Sequence, residues 1–190
     1  MPFFPSMAED AGIAQIYKAR SKTYLPWIQM GERVMTKDGP LTQGERELLA
    51  TYVSCLNDCD YCREAHGPSM ELHGIARAVV DALIADIDSA PVDDRLKPIF
   101  AFAKKLTKAP ATLTQADADR VFAAGWDEDG LAAAIEVICR FNFMNRLAMG
   151  YGLTPPDADA AMANARRRQA HGYARMHDSL TGDDAAKKAG

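Results

Sequence analysis

Apolar residues recur at helical spacing along most of the chain. From Gln43 to Leu56 the set Leu48, Leu49, Tyr52, Val53 and Leu56 falls at intervals of three and four, with Glu47, Thr51 and Ser54 on the opposite stripe. That pattern predicts an amphipathic helix. A second helix is expected from about Asp60, bent near Pro68, because proline lacks a backbone donor and disfavours helical geometry at Gly67, and closed by Gly74. The stretches Ile75 to Ile87, with Val79, Val80, Leu83 and Ile84, and Asp93 to Leu106, with Leu96, Ile99, Phe100 and Ala103, read as core helices. Thr114 followed by Asp117 has the form of a capping box, and Gly125 is a stop, so a short helix fits between them. Glu128 to Met149 carries Leu131, Ala134, Ile135, Ile138, Phe141, Asn145 and Ala148 on one side of a long helix. Thr154 before Pro155 reads as an N-cap for a last helix running past Arg168.

Alternation of period two is missing, and no Asn-Gly or Asp-Gly pair joins two apolar strands, so the expected fold is all-α. Residues 1–163 are expected to form one helical domain. Residues 164–190 carry six Lys/Arg against three Asp/Glu and few large apolar groups, and read as a polar, partly disordered C-terminal tail.

Charge and composition narrow the function classes. The chain has 190 residues, 22 Lys+Arg against 26 Asp+Glu and 48% apolar residues, the profile of one soluble domain. No basic excess suits a phosphate backbone, so nucleic acid is not an expected partner. No run approaches the ~20 apolar residues of a membrane helix, and the first residues lack the plan of a secretory signal. The expectation is therefore no membrane and a cytoplasmic protein, in which four cysteines stay reduced and a close pair serves redox or metal chemistry.

Such a pair exists. Cys55 to Gly67 reads CLNDCDYCREAHG, with three of the four cysteines and one of the four histidines within 12 residues. On a helix Cys59, Cys62 and His66 fall within about 60° of one another. Asn57 and Asp58 are good terminators or N-caps, so the pair is expected at a helix start, where unpaired N–H groups and the macrodipole favour a thiolate. A thiolate, a second sulfur three residues away and a histidine one turn on meet the outline needs of thiol redox chemistry. Other readings of the same residues stay open. The cysteines can be small buried hydrophobes with His66 in the core. Cys55, Cys59, Cys62 and His66 can supply zinc ligands, although one helical turn surrounds a tetrahedral ion poorly. The spacing from Cys55 to Cys62 also resembles the cluster-binding loop of radical SAM enzymes, without the strands of that barrel.

Extended backwards, the window Glu45 to Gly67 reads ERELLATYVSCLNDCDYCREAHG and resembles the signature of AhpD-like alkylhydroperoxidases in the carboxymuconolactone decarboxylase superfamily. The matching positions are Glu47, Ser54, Asn57, Cys59, Cys62 and His66. The stretch around Lys105, Gly125-Trp126 and FNFMNRLAMG from Phe141 resemble its peroxidase-related branch, so the likeness spans roughly residues 15 to 153. It implies an all-helical fold that assembles into a homo-oligomer, trimer or hexamer, and reduces peroxides without a bound cofactor or metal. By that likeness Cys62 attacks the peroxide and becomes a sulfenic acid, and Cys59 supplies a proton and then closes the disulfide. Glu47 and His66 form the proton relay, and an external dithiol of unspecified identity resets the pair. A carboxylate near His66 would favour the imidazolium, whose charge would favour a neighbouring thiolate. Taken alone, Glu47 lies on a polar stripe, which is ordinarily a solvated face. Glu45 lies about 200° round the helix and cannot face the same site.

One position departs from the family. Where the best-known AhpD members have histidine before the second cysteine, this chain has Tyr61, expected to be packed with its hydroxyl bonded. Cys139 is expected in the core, and His73, His171 and His177 have no partner at useful spacing, the last two facing solvent. An apolar pocket open to a small molecule is required, and Phe141 to Phe143 could line it. The leading function is a thiol-dependent peroxidase or disulfide reductase. Its competitors are a non-catalytic oligomeric redox sensor or scaffold, and a lactone decarboxylase of the same superfamily, which has no need of a cysteine pair.

Overall fold

A computed structural model of the chain describes residues 2–36 and 38–173. These residues are all-helical. The order is α1 (Ile13–Ala19), α2 (Ser21–Thr36), α3 (Gln43–Leu56), α4 (Asp60–Leu72), α5 (Arg77–Ala85), α6 (Lys97–Lys108), α7 (Gln115–Ala123), α8 (Glu128–Tyr151) and α9 (Ala158–His171), with 3-10 turns before and after α6.

Helix α3 is the hub, packed against α2, α4, α5, α6 and α8. Thr42 and Glu45 start it reciprocally: Glu45 N–H donates to Thr42 Oγ1 at 3.2 Å and Thr42 N–H to Glu45 Oε2 at 2.7 Å. With neighbours on every side, α3 has no solvated face, and Glu47, Thr51 and Ser54 are as buried as the leucines opposite them. Their polarity is absorbed internally. Thr51 and Ser54 hydroxyls donate at 2.8 Å to the carbonyls of Glu47 and Ala50, one turn back.

Pro68 is accommodated inside α4, and Gly74, at φ 80°, takes the left-handed turn after it. Thr114 N–H donates to Asp117 at 2.8 Å at the start of α7, and the long α8 ends in left-handed Gly152. Helices α1 and α2 were not foreseen. Tyr24, Ile28, Gly31 and Met35 do share a face of α2, but Pro26 and Gly31 interrupt the apolar pattern and weaken its signal.

The last helix corrects two expectations. Its cap is Asp157, which accepts Ala160 N–H at 2.8 Å, rather than Thr154, because Pro156 keeps Pro155 out of helical geometry. The helix also runs past Arg168 to His171, so the boundary expected at residues 163 and 164 falls inside it. Ala161 and Ala165 are small enough to bring α9 onto α4 and are buried there. His171 is exposed, and residues 174–190, including His177, lie outside the described residues.

The described residues form two apolar clusters. The larger joins α3, α5, α6 and α8 around Tyr52, Leu83, Phe100 and Ile138. The smaller gathers Ile16, Tyr17, Tyr24 and Ile28 of α1 and α2 with Met144 and Ala148 of α8 around Cys59 and Cys62. No helix among the described residues is long and apolar enough to cross a membrane.

Candidate active site

The α3–α4 corner sets the sulfurs. Asn57 ends α3, Asp58 turns the chain with φ 53°, a left-handed conformation that aspartate tolerates, and Cys59 is the N-cap of α4. Cys59 N–H donates to Ser54 O at 2.9 Å, fastening the corner to α3. Cys62 follows in the first turn of α4. Buried Asn145 of α8 braces the junction: its Nδ2 donates to Ser54 Oγ at 3.0 Å and its Oδ1 accepts from Asn57 Nδ2 at 2.9 Å. Its carbonyl accepts the Cys59 thiol at 3.8 Å.

Both thiols are free and buried in the same apolar cluster. The Cys62 thiol, as donor, pulls the Cys59 pKa below its ordinary value against the opposing effect of burial, helped by the Cys62 backbone N–H and Asn145. Cys62 moves the other way, well above its ordinary value, because it donates to Cys59 and is buried. Of the two, Cys59 is therefore the easier to ionise and Cys62 the harder.

One turn beyond Cys62, His66 Nδ1 lies 2.9 Å from Glu47 Oε2. Tyr173, just past α9, donates its hydroxyl to Glu47 Oε1 at 2.6 Å, and the Tyr173 hydroxyl oxygen is 3.3 Å from His66 Nδ1. The Tyr173 ring is stacked at 8° to the imidazole with centroids 6.2 Å apart, while Phe141 meets it edge-on at 4.7 Å. Arg168 holds α9 down by bonding Ser69 Oγ at 2.9 Å and the Ala65 carbonyl, and Tyr173 N–H bonds Glu32 on α2.

Burial pushes the Glu47 carboxyl up, but His66, Arg168 and the Tyr173 hydroxyl outweigh it, so the group lies below the usual carboxylate range. For His66 burial prevails. It moves the imidazole below its usual value although Glu47 pulls the other way. Glu47 is ionised and His66 neutral near pH 7, with Nδ1–H donating to the carboxylate and Nε2 left as an acceptor. The expected imidazolium is thus replaced by a neutral base, because desolvation exceeds the attraction of one carboxylate.

Tyr61 is partly buried and its hydroxyl accepts Ile13 N–H at 2.9 Å, tying the residue between the cysteines to the start of α1. Glu45 caps α3, away from Glu47. Cys55 lines a different groove with Arg63, Gly67 and Arg77. His73 is exposed. Cys139 is exposed rather than in the core: it sits on the outer face of α8, and the neighbouring Arg140 is buried instead. Phe141 and Phe143 do not line an open pocket. Phe141 is 1% exposed, and Phe143 lies outside, against Trp27. The sulfurs are covered by α1 and α2, with Cys59 and Cys62 1% and 3% exposed. Among the described residues no three His, Cys, Asp or Glu side chains converge as metal ligands would.

Sequence reasoning missed Tyr173, Arg168 and the bracing by Asn145. An amide in the apolar stripe of α8 was a legible signal for Asn145. Nothing in the polar composition after residue 164 marked Tyr173.

Residues 22–105 match the Carboxymuconolactone decarboxylase family. Among solved structures, the chain is similar to an uncharacterized peroxidase-related protein from Silicibacter sp. TM1040, at 26% identity over 76% of each chain and a TM-score of 0.70. It is equally similar to an alkylhydroperoxidase AhpD-core, peroxidase-related protein from Ralstonia eutropha JMP134, at 26% identity over 80% of this chain and 78% of that one, TM-score 0.70. A protein of unknown function from Agrobacterium tumefaciens shares the fold at 15% identity, TM-score 0.60, over 78% of this chain and 99% of that one. No curated protein matches the sequence.

Proposed function

Because this chain belongs to the carboxymuconolactone decarboxylase superfamily, on its AhpD-like side, we propose that it is a thiol-dependent peroxidase working through Cys62 and Cys59, with His66 and Glu47 as proton relay. The observation that carries this reading is the juxtaposition of two free cysteines at the mouth of α4 with His66 one turn further along that helix, bonded to the buried Glu47 of α3.

In the proposed cycle His66 takes the first proton from the thiol pair, and Glu47 stabilises the imidazolium so formed. The remaining proton is shared between the sulfurs. When it sits on Cys59, the Cys62 thiolate attacks a hydroperoxide oxygen, the O–O bond breaks, and Cys62 becomes a sulfenic acid. Cys59 gives its proton to the departing alkoxide, which leaves as an alcohol. The Cys59 thiolate then attacks the sulfenic sulfur, forming the disulfide and expelling hydroxide, which takes the proton held by His66 and leaves as water. An external dithiol reduces the disulfide. The lowered pKa of Cys59 suits this resolving step, and the higher pKa of Cys62 makes its thiolate the stronger nucleophile once formed. Tyr173 positions Glu47 and acts through it. A homo-oligomer and a cytoplasmic setting complete the reading.

Mass spectrometry after a sub-stoichiometric peroxide pulse with a sulfenic-acid trap tests it. The adduct is expected on Cys62 in the Cys59→Ser variant, and a 59–62 disulfide in the parent. An adduct on Cys59 reverses the two roles. Absence of both the adduct and the disulfide removes the peroxidase reading.

The burial of both sulfurs favours one second reading, a redox sensor in which oxidation changes an interface. Consumption of one equivalent of peroxide per chain, without turnover on added dithiol, supports the sensor.

A further inference from the structure

Hydrogen-bond donors converge beside the cysteine pair with little to accept from them. Tyr17 on α1 and Trp27 on α2 both donate to the thioether of Met144, each at 3.2 Å, and a thioether is a weak acceptor. One turn before Met144 on α8 is Arg140, 6% exposed. Its Nη1 reaches the Trp27 carbonyl only at 3.4 Å, and its Nε is buried with no partner. None of the ion pairs among the described residues includes it. Space has been made for the guanidinium: a Cβ on Gly31 of α2 would stand 2.2 Å from Arg140 Nη2.

A buried cation with no anion in contact, Glu47 acting on it only from a distance, is costly, and two donors sharing one weak acceptor are costly for the same reason. Both deficits are met by one kind of ligand. A carboxylate has two oxygens and about four lone-pair positions, enough for a guanidinium edge, an indole N–H and a phenol. Met144 can yield the space, since its side chain is unbranched and flexible. A ligand in its place would lie beside the thiols, because the next residue, Asn145, accepts the Cys59 thiol through its carbonyl.

We propose that Tyr17, Trp27 and Arg140 form a site for an anionic oxygen group, and that this site takes the carboxylate of a molecule reacting at Cys59 and Cys62, with Met144 holding the place until it arrives. The second half rests on the thiol peroxidase reading; the anion site does not. The carboxylate can belong to the peroxide or to the reducing dithiol, and the recognition chemistry is the same.

Acetate and acetamide titrated into the 15N-labelled full chain, following the Trp27 indole N–H resonance assigned with Trp27→Phe, test the site. Acetate is expected to move that resonance saturably and acetamide to leave it in place. Arg140→Gln should weaken acetate about tenfold or more, and Met144→Ala, which clears the place, should tighten it. An unmoved indole in the parent, or equal responses to acetate and acetamide, overturns the site whether or not any variant folds. In the kinetic arm, kcat/KM is compared for a carboxylate-bearing hydroperoxide against its methyl ester and for a carboxylate-bearing dithiol against its amide. The pair whose ratio collapses in Arg140→Gln identifies the source. Acetate binding without peroxide turnover refutes the thiol reading and keeps the anion site; turnover without acetate binding does the reverse.

Discussion

The phenol of Tyr173 donates to one oxygen of Glu47 while the imidazole of His66 holds the other, so a single buried carboxylate on α3 ties α4 to a residue 126 positions along the chain. The consequence is a relay whose members are fixed by three elements and shielded by α9.

Glu47→Gln replaces an acceptor of two bonds with a carboxamide whose N–H₂ faces donors. His66, deprived of the group that pulls its pKa upward, should titrate still lower by NMR. Dithiol-dependent peroxide turnover should fall by about 100-fold, the lower end of what a positioned acid–base pair supplies. Turnover within about twofold of the parent would remove Glu47 from the relay.

Tyr173→Phe should act more gently and in the opposite sense on His66. Without the phenol the carboxylate charge is less shared, and the imidazole midpoint should rise. Unfolding in urea should show a loss of about 1.5–3 kcal/mol, the usual contribution of a hydrogen bond to a charged group. An unchanged His66 titration would show that the phenol does not govern the pair.

Acid should weaken the fold through both relay groups. Glu47 has a folded-state pKa below its ordinary 4.5, so its contribution is present above that pH and is lost as pH falls through the folded value. His66 has a folded-state pKa below its ordinary 6.5, so its neutral form stabilises the protein above that pH, and this too disappears as pH falls through the folded value. Urea midpoints should decline from about pH 7 to about pH 4, and the decline should flatten in the Glu47→Gln, His66→Gln double variant. A level parent profile over that window contradicts the assignment.

Asn145→Ala leaves the Ser54 hydroxyl and the Asn57 amide short of partners in the buried α3–α4 corner. A destabilisation of about 1–3 kcal/mol is expected. Because the bond from the Cys59 thiol goes to the backbone carbonyl, it persists, whereas the side-chain contribution to the lowered Cys59 pKa is lost. Thiol alkylation against pH should then shift to higher pH; an unmoved profile would show that Asn145 braces the corner without tuning the sulfur.

Helix α3 illustrates how far local pattern reaches. Its limits and its Thr42–Glu45 start follow from short-range hydrogen bonding, which a sequence states directly. The clustering of Cys59, Cys62 and His66 on one helix face likewise follows from rotation per residue alone. Whether the Glu47 stripe faces water or a neighbour is different, because it depends on which helices surround α3, and composition along α3 carries no record of that. Tyr173 makes the same point more sharply. It lies in a polar stretch with no periodic signal, yet closes the relay because Ala161, Ala165 and Arg168 hold α9 against α4. The sequence by itself determined the helices from α3 to α8 and the grouping of the thiols with the imidazole, since those depend on residues a few positions apart. Only the tertiary structure decided which proton each group holds and what covers the sulfurs, since burial and charge at a site are set by every element that packs around it.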